Sequence, residues 1–167
     1  MIASWSRLLA TAVDTATPIL IVRIVVGSIF LLEGILKFII PATFGAGRFA
    51  RVGIPAPEMM GPFVGTVEVV CGILVLLGLG TRLAAISLMI VMVVALLTTK
   101  LPVLMNDGFW IAANMARLDV AMLLSSLFLL VTGAGPLALD ARLMRAARQA
   151  GEVDPRGERS MRGAVGA

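Results

Sequence analysis

The chain has 167 residues, of which 59% are hydrophobic and only 14% charged, whereas about 25% are charged in a typical soluble domain. With a mean hydropathy of +1.02 and apolar residues gathered into four long runs, this composition excludes a water-soluble globule and assigns the chain to the integral membrane proteins. A net charge of +4 does not point to nucleic acid, because six of the fourteen basic residues lie in the C-terminal tail beside the last apolar run, where lipid headgroups are the natural partner.

In chain order, residues 1–17 carry Arg7 and Asp14 and lack the long apolar run of a cleaved signal, so a short interfacial segment is expected. The first span is predicted at about 18–40, with Pro18 at its first turn, where a missing N–H costs nothing. A loop over 41–60 follows, punctuated by Gly45, Gly47, Gly53, Pro55 and Pro57, with Phe44, Phe49, Arg48 and Arg51 placed to lie along the interface. The second span is predicted at about 61–79 and is followed by a tight return at Gly80, Thr81 and Arg82. The third is predicted at about 83–101, with Lys100 snorkelling at its end. A turn over 102–110 containing Asn106, Asp107 and Gly108 leads to the fourth span at about 111–132, where Phe109 and Trp110 are interfacial anchors. The predicted fold is all-α: an antiparallel four-transmembrane-helix bundle over 18–133, an interfacial loop between spans one and two, and a basic cytoplasmic tail over 134–167.

Four spans put both termini and the 80–82 turn on one side, with Arg7, Arg82, Arg142, Arg145 and Arg148 near the membrane, against Arg48, Arg51 and Lys100 on the other. The positive-inside bias places both termini in the cytoplasm. In that orientation the intramembrane acids share a depth. Glu33 and Glu68 each lie seven residues from the outer end of their spans and Asp119 lies eight, roughly 10–12 Å below the boundary at 1.5 Å per residue. Lys37, one turn above Glu33, and Arg117, half a turn above Asp119, are the expected cations, and Arg23 stands alone near the cytoplasmic end. Three acids against two bases leave one uncompensated carboxyl. An ionisable group at this depth is a functional candidate, and Glu68 is the expected proton-exchanging acid.

Helical phase indicates which groups can meet. Arg23, Gly27, Phe30, Gly34 and Lys37 form one stripe, and Gly61, Gly65, Glu68 and Gly72 form another. Small and ionisable residues combined in this way mark a helix–helix seam in lipid. On span four, Asn114 and Arg117 share a face while Asp119 points about 140° away from Asn114, so Arg117 and Asp119 are not expected to face the same interior, and one of them either reaches sideways or meets a second protein in the membrane. The candidate binding residues are therefore Arg23, Glu33, Lys37, Glu68, Asn114, Arg117 and Asp119, with no metal site assigned. Methionines such as Met92, Met115 and Met122 are gap-fillers rather than ligands. The lone Cys71 provides no disulfide or thiol relay, and without histidine the chain by itself has no imidazole for haem, zinc or proton-transfer work.

Several motifs in order resemble the DoxX family: Arg23-x3-Gly27-x2-Phe30-x3-Gly34-x2-Lys37, then Gly53-Ile-Pro55-x-Pro57, then Glu68-x3-Gly72 leading to Leu77-Gly-Leu-Gly80-Thr-Arg82, and finally Gly133-x-Gly135-x3-Leu139-Asp140. The resemblance implies a small four-helix protein of the bacterial inner membrane, accessory to a quinone-linked redox complex, with Arg23, Lys37 and Glu68 as family-like polar residues. It leaves three functions in view. The chain is a membrane subunit associated with quinone chemistry, with quinone or a bound lipid as ligand and other membrane subunits or further copies of itself as partners. Alternatively it is a structural anchor without chemistry or, third, a small-solute or proton path.

Overall fold

A computed structural model describes residues 16–151, with side chains described to residue 146. The expectations for residues 1–15, and for the tail arginines Arg156, Arg159 and Arg162, lie outside the described residues. Every regular element among the described residues is helical: α1 (Ala16–Ile39), a short α2 (Ala46–Arg51), α3 (Pro57–Leu77), α4 (Thr81–Ala95), α5 (Leu101–Asp107), α6 (Phe109–Thr132) and α7 (Leu139–Gly151). A π-helical turn at Leu96–Lys100 joins α4 to α5 without a break. Four of these segments are long and apolar enough to cross a bilayer: Ala16–Ile39, Pro57–Leu77, Thr81–Asp107 and Phe109–Thr132. The protein is a multi-pass membrane protein.

Its most extensive packing is α1 against α3, followed by α4 against α6, with α3 touching α4 along one side. Glycine sets the first contact. A Cβ on Gly27 would come within 2.9 Å of the Gly72 carbonyl oxygen, and one on Gly34 within 2.7 Å of the Gly65 carbonyl oxygen. These two crossings are two turns apart on each helix and run in opposite directions, so the stripes read from periodicity meet as one antiparallel seam. Close backbone approach of this kind is how helices associate where lipid removes the hydrophobic drive between them. Val26, Phe30, Val75, Leu88 and Leu129 fill the space behind the seam, and residues such as Ile21, Leu83 and Val131 stay exposed to the acyl chains.

One end of the molecule is closed by a hydrogen-bonded knot. The Arg23 guanidinium donates to the carbonyl oxygens of Val75 (3.0 Å), Leu76 (2.8 Å) and Ala134 (3.0 Å). The last carbonyls of a helix have no partner within it, so a buried arginine on α1 satisfies the end of α3 and ties it to the segment after α6. The Asp140 carboxylate accepts from the Gly80 backbone N–H at 2.8 Å, and the Asp140 N–H donates to the Gly78 carbonyl at 3.2 Å. Gly78 takes φ +72°, and a Cβ there would lie 2.7 Å from that of Ala138. The glycine-rich turns and Asp140 thus belong to a single junction.

At the other end two segments differ from expectation. The third span does not stop at residue 101 and turn over 102–110; it runs to Asp107, and the chain reverses at Gly108 alone (φ +89°). Pro102 lacks an N–H and crowds the carbonyl four residues before it. The wide turn absorbs this: the Leu101 N–H bonds the Leu96 carbonyl, while the Thr98 and Thr99 hydroxyls donate back to Val94 (2.8 Å) and Ala95 (2.6 Å). The loop between the first two spans is also more structured than its glycines and prolines suggest. Arg51 donates to the carbonyls of Ala42 (3.0 Å) and Thr43 (3.2 Å), and α2 packs on α3 where Gly61 meets Ala46.

The seam has a direct test. Gly34→Val should force α1 and α3 apart and lower the stability of the purified protein in detergent by about 1–3 kcal/mol. Ser28→Val, on the exposed side of the same helix, should leave the thermal melt unchanged.

Candidate functional site: a charged cavity between two helix pairs

Between the α1/α3 pair and the α4/α6 pair, at the end opposite the Arg23 knot, lies a cavity of about 490 Å³. It falls within the ~300–1,000 Å³ typical of small-molecule sites. Its walls are mostly apolar, with Phe30, Phe63, Met92 and Met122 among the side chains lining it. Set into them are Glu33, Lys37, Glu68, Lys100 and Asp119, with Arg48 of α2 joining them from the loop.

The charged groups form two separate clusters. On the α1/α3 side the Lys37 ammonium donates to a Glu68 carboxylate oxygen at 2.5 Å, with the two side chains 9% and 2% exposed. The same ammonium lies 3.9 Å from the Glu33 carboxylate and 3.4 Å from the Glu33 carbonyl oxygen. Lys37 reaches across because Gly65 leaves room: a Cβ there would sit 3.2 Å from the Lys37 Cβ. The glycine seam therefore shapes the ion pair as well as the helix contact. On the α4/α6 side the Lys100 ammonium stands 3.4 Å from Asp119 Oδ2, and the pair is more open, at 13% and 23% exposure. That oxygen is buried and has no hydrogen-bond partner among the described residues.

Of the candidate residues, Glu33, Lys37, Glu68 and Asp119 line the cavity. The other three do not. Arg23 belongs to the knot at the opposite end. Arg117 is exposed on the outer face of α6 and donates to the Asn114 side-chain oxygen at 3.2 Å, so both are removed from the set facing the cavity. The divergence of Arg117 from Asp119 expected from helical phase is present, but the cation facing Asp119 is Lys100. Reading Lys100 as a residue snorkelling at a span end misses it, because the span continues for seven residues beyond it. The signal was available in Leu101, Val103, Leu104 and Met105, which carry the apolar pattern onward. Phe44, Arg48 and Phe49, expected along the interface, are half-buried and line the cavity instead. Phe109 and Trp110 do stay exposed, edge to face at 5.4 Å.

Against known proteins, the DoxX family model matches residues 18–101. The chain belongs to the DoxX family. The DoxX match spans α1 to the end of the π turn and so contains Glu33, Lys37, Arg48, Glu68 and Lys100; Asp119 lies beyond it. An uncharacterized membrane protein of Mycobacterium tuberculosis is 46% identical over 154 residues, covering 89% of this chain and 93% of its own length. A Bacillus subtilis protein named "Putative oxidoreductase CatD" is 32% identical over 124 residues, covering 72% of this chain and 83% of its own. No solved structure matches the chain.

The Lys37–Glu68 bond can be weighed by a double-mutant cycle. Glu68→Ala alone strands a buried ammonium and should cost about 3–5 kcal/mol, while Lys37→Met added to Glu68→Ala should recover part of that loss, with Lys37→Met alone completing the cycle. Denaturation of the four proteins in one detergent measures the coupling.

Proposed function

We propose that this DoxX-family protein is a membrane subunit whose cavity receives the headgroup of a quinone, acting with a partner that supplies the electrons. The observation that carries the reading is a cavity of small-molecule size, framed by spanning helices and lined by aromatic and methionine side chains, with a buried lysine–carboxylate pair in its lining. A quinone ring is apolar on its faces and polar at its carbonyls, and this lining offers both. Lys37 donates to a carbonyl oxygen, and Glu68, hydrogen-bonded to it, exchanges the proton. With one cysteine and no histidine in its sequence, the chain relies on another component for electron transfer. The Bacillus subtilis relative is named a putative oxidoreductase, which is in keeping with this role.

The same reading places the protein in the bacterial inner membrane with both termini in the cytoplasm. Arg82, Arg142 and Arg145 then lie on the cytoplasmic side with the Arg23 knot, and α7, with Leu139 and Leu143 one turn apart on its apolar face, lies along the headgroups. The cavity opens toward the outer leaflet.

A second reading is favoured by the Lys37–Glu68 bond itself, which links α1 to α3 and would serve equally in a purely structural anchor of a larger complex. Glu68→Gln separates the two. It keeps shape and hydrogen-bonding capacity but cannot exchange the proton. For a quinone site, membranes carrying this variant should show quinone reduction lowered about tenfold or more, with the complex still co-purifying. For an anchor, turnover per assembled complex should be unchanged.

A further inference from the structure

Each helix pair brings its own lysine and its own carboxylate to the cavity. Lys37 and Glu68 come from α1 and α3, while Lys100 and Asp119 come from the π turn and α6. No ion pair among the described residues crosses between these sets, so the cavity carries two separate charged pairs, one from each helix pair, in a lining that is otherwise mostly apolar.

We propose that the cavity is two-ended and grips a 1,4-quinone, and equally its hydroquinone, by both oxygens at once, with Lys37–Glu68 at one and Lys100–Asp119 at the other. This rests on the quinone reading above and adds the second end, which that reading does not require. An ammonium only donates hydrogen bonds and an ionised carboxylate only accepts them. A lysine paired with a carboxylate therefore donates to the carbonyl oxygen of the quinone and accepts from the hydroxyl of the hydroquinone. A lone lysine would favour the oxidised ligand and a lone carboxylate the reduced one. Two such pairs at the para positions bind both forms with no rearrangement of the helices.

The second end is set up for this. Asp119 Oδ2 is buried without a hydrogen-bond donor, and its lysine stands at 3.4 Å, outside hydrogen-bonding geometry, so both groups keep capacity for a ligand. The first end is already satisfied at 2.5 Å and holds its shape. Lys100 owes its place to the π turn, a feature frequent at functional sites. The apolar lining, with Phe30, Met92 and Met122, suits the faces of a flat ring. An amphiphile with a single polar end, such as a fatty acid, would press its tail against the second ion pair and leave it desolvated without new bonds, which is unfavourable. The site thus selects flat molecules with oxygen at both ends.

The test uses the full-length protein in nanodiscs, titrated with 2-methyl-1,4-naphthoquinone and with 1-tetralone, a fused-ring ketone carrying one carbonyl. A two-ended site should bind the naphthoquinone at least about tenfold more tightly than the tetralone, and Lys100→Met should abolish that advantage. Infrared difference spectra of the wild-type protein with carbonyl-labelled naphthoquinone need no variant and should show both carbonyl stretches lowered from their positions in an inert solvent. If the naphthoquinone binds but only one carbonyl shifts, or if Lys100→Met has no effect on its affinity, the second end is refuted and the quinone reading survives. If neither compound binds, both are overturned.

Discussion

Lys37 and Glu68 meet where neither could remain alone. At 9% and 2% exposure inside a bundle of membrane-spanning helices, each is tolerable only because the other is 2.5 Å away. Their meeting demands that α1 and α3 approach at backbone distance, which the Gly27–Gly72 and Gly34–Gly65 crossings permit. A side chain at Gly65 would crowd the stem of Lys37. Glycine, lysine and glutamate are therefore parts of one constraint. Packing brings the charges together, and their bond fixes the packing at a single register, which is the best-attested use of polar groups between helices.

The two ends of the molecule then take opposite characters. Arg23, Gly78, Gly80, Ala134 and Asp140 close one end with hydrogen bonds to helix termini that would otherwise be orphaned. The buried residues of the third span, Thr81, Ala84, Ala85 and Leu88, all lie at this end, and its second half buries none. There the helix pairs separate and α2 folds over the space between them. A tightly packed end carrying a looser one suits the proposed ligand site, since binding regions are drawn from the less packed parts of a fold.

Much of this was legible in the sequence because lipid makes the rules strict. Four apolar runs had to be four helices, and the stripes holding Arg23, Gly27, Phe30, Gly34 and Lys37, and Gly61, Gly65, Glu68 and Gly72, are all buried in the structure. What escaped depended on local backbone chemistry. The π turn before Pro102 extends the third span and carries Lys100 inward, and no simple period of 3.6 anticipates it. The divergence of Arg117 from Asp119 follows from a separation of two residues, which points side chains to different faces of a helix; what escaped is that Lys100 is the cation facing Asp119. The glycines and prolines of the first loop suggested irregular chain; Arg51 bonding to Ala42 and Thr43 gathers that loop into a cover for the cavity.

The central claim is that charged groups from separate spans converge within the membrane, and the Lys37–Glu68 contact is its most direct expression. Solid-state NMR on the protein in lipid bilayers, with ¹⁵N in lysine and ¹³C in the glutamate carboxyl groups, measures that contact without detergent. Assigned by its loss in Glu68→Gln, a dipolar coupling corresponding to about 3–4 Å between the Lys37 ammonium nitrogen and the Glu68 carboxyl carbon is the expected result. A Lys37 nitrogen with no carboxyl carbon of Glu68 within about 6 Å, beyond any direct ion pair, would contradict the account.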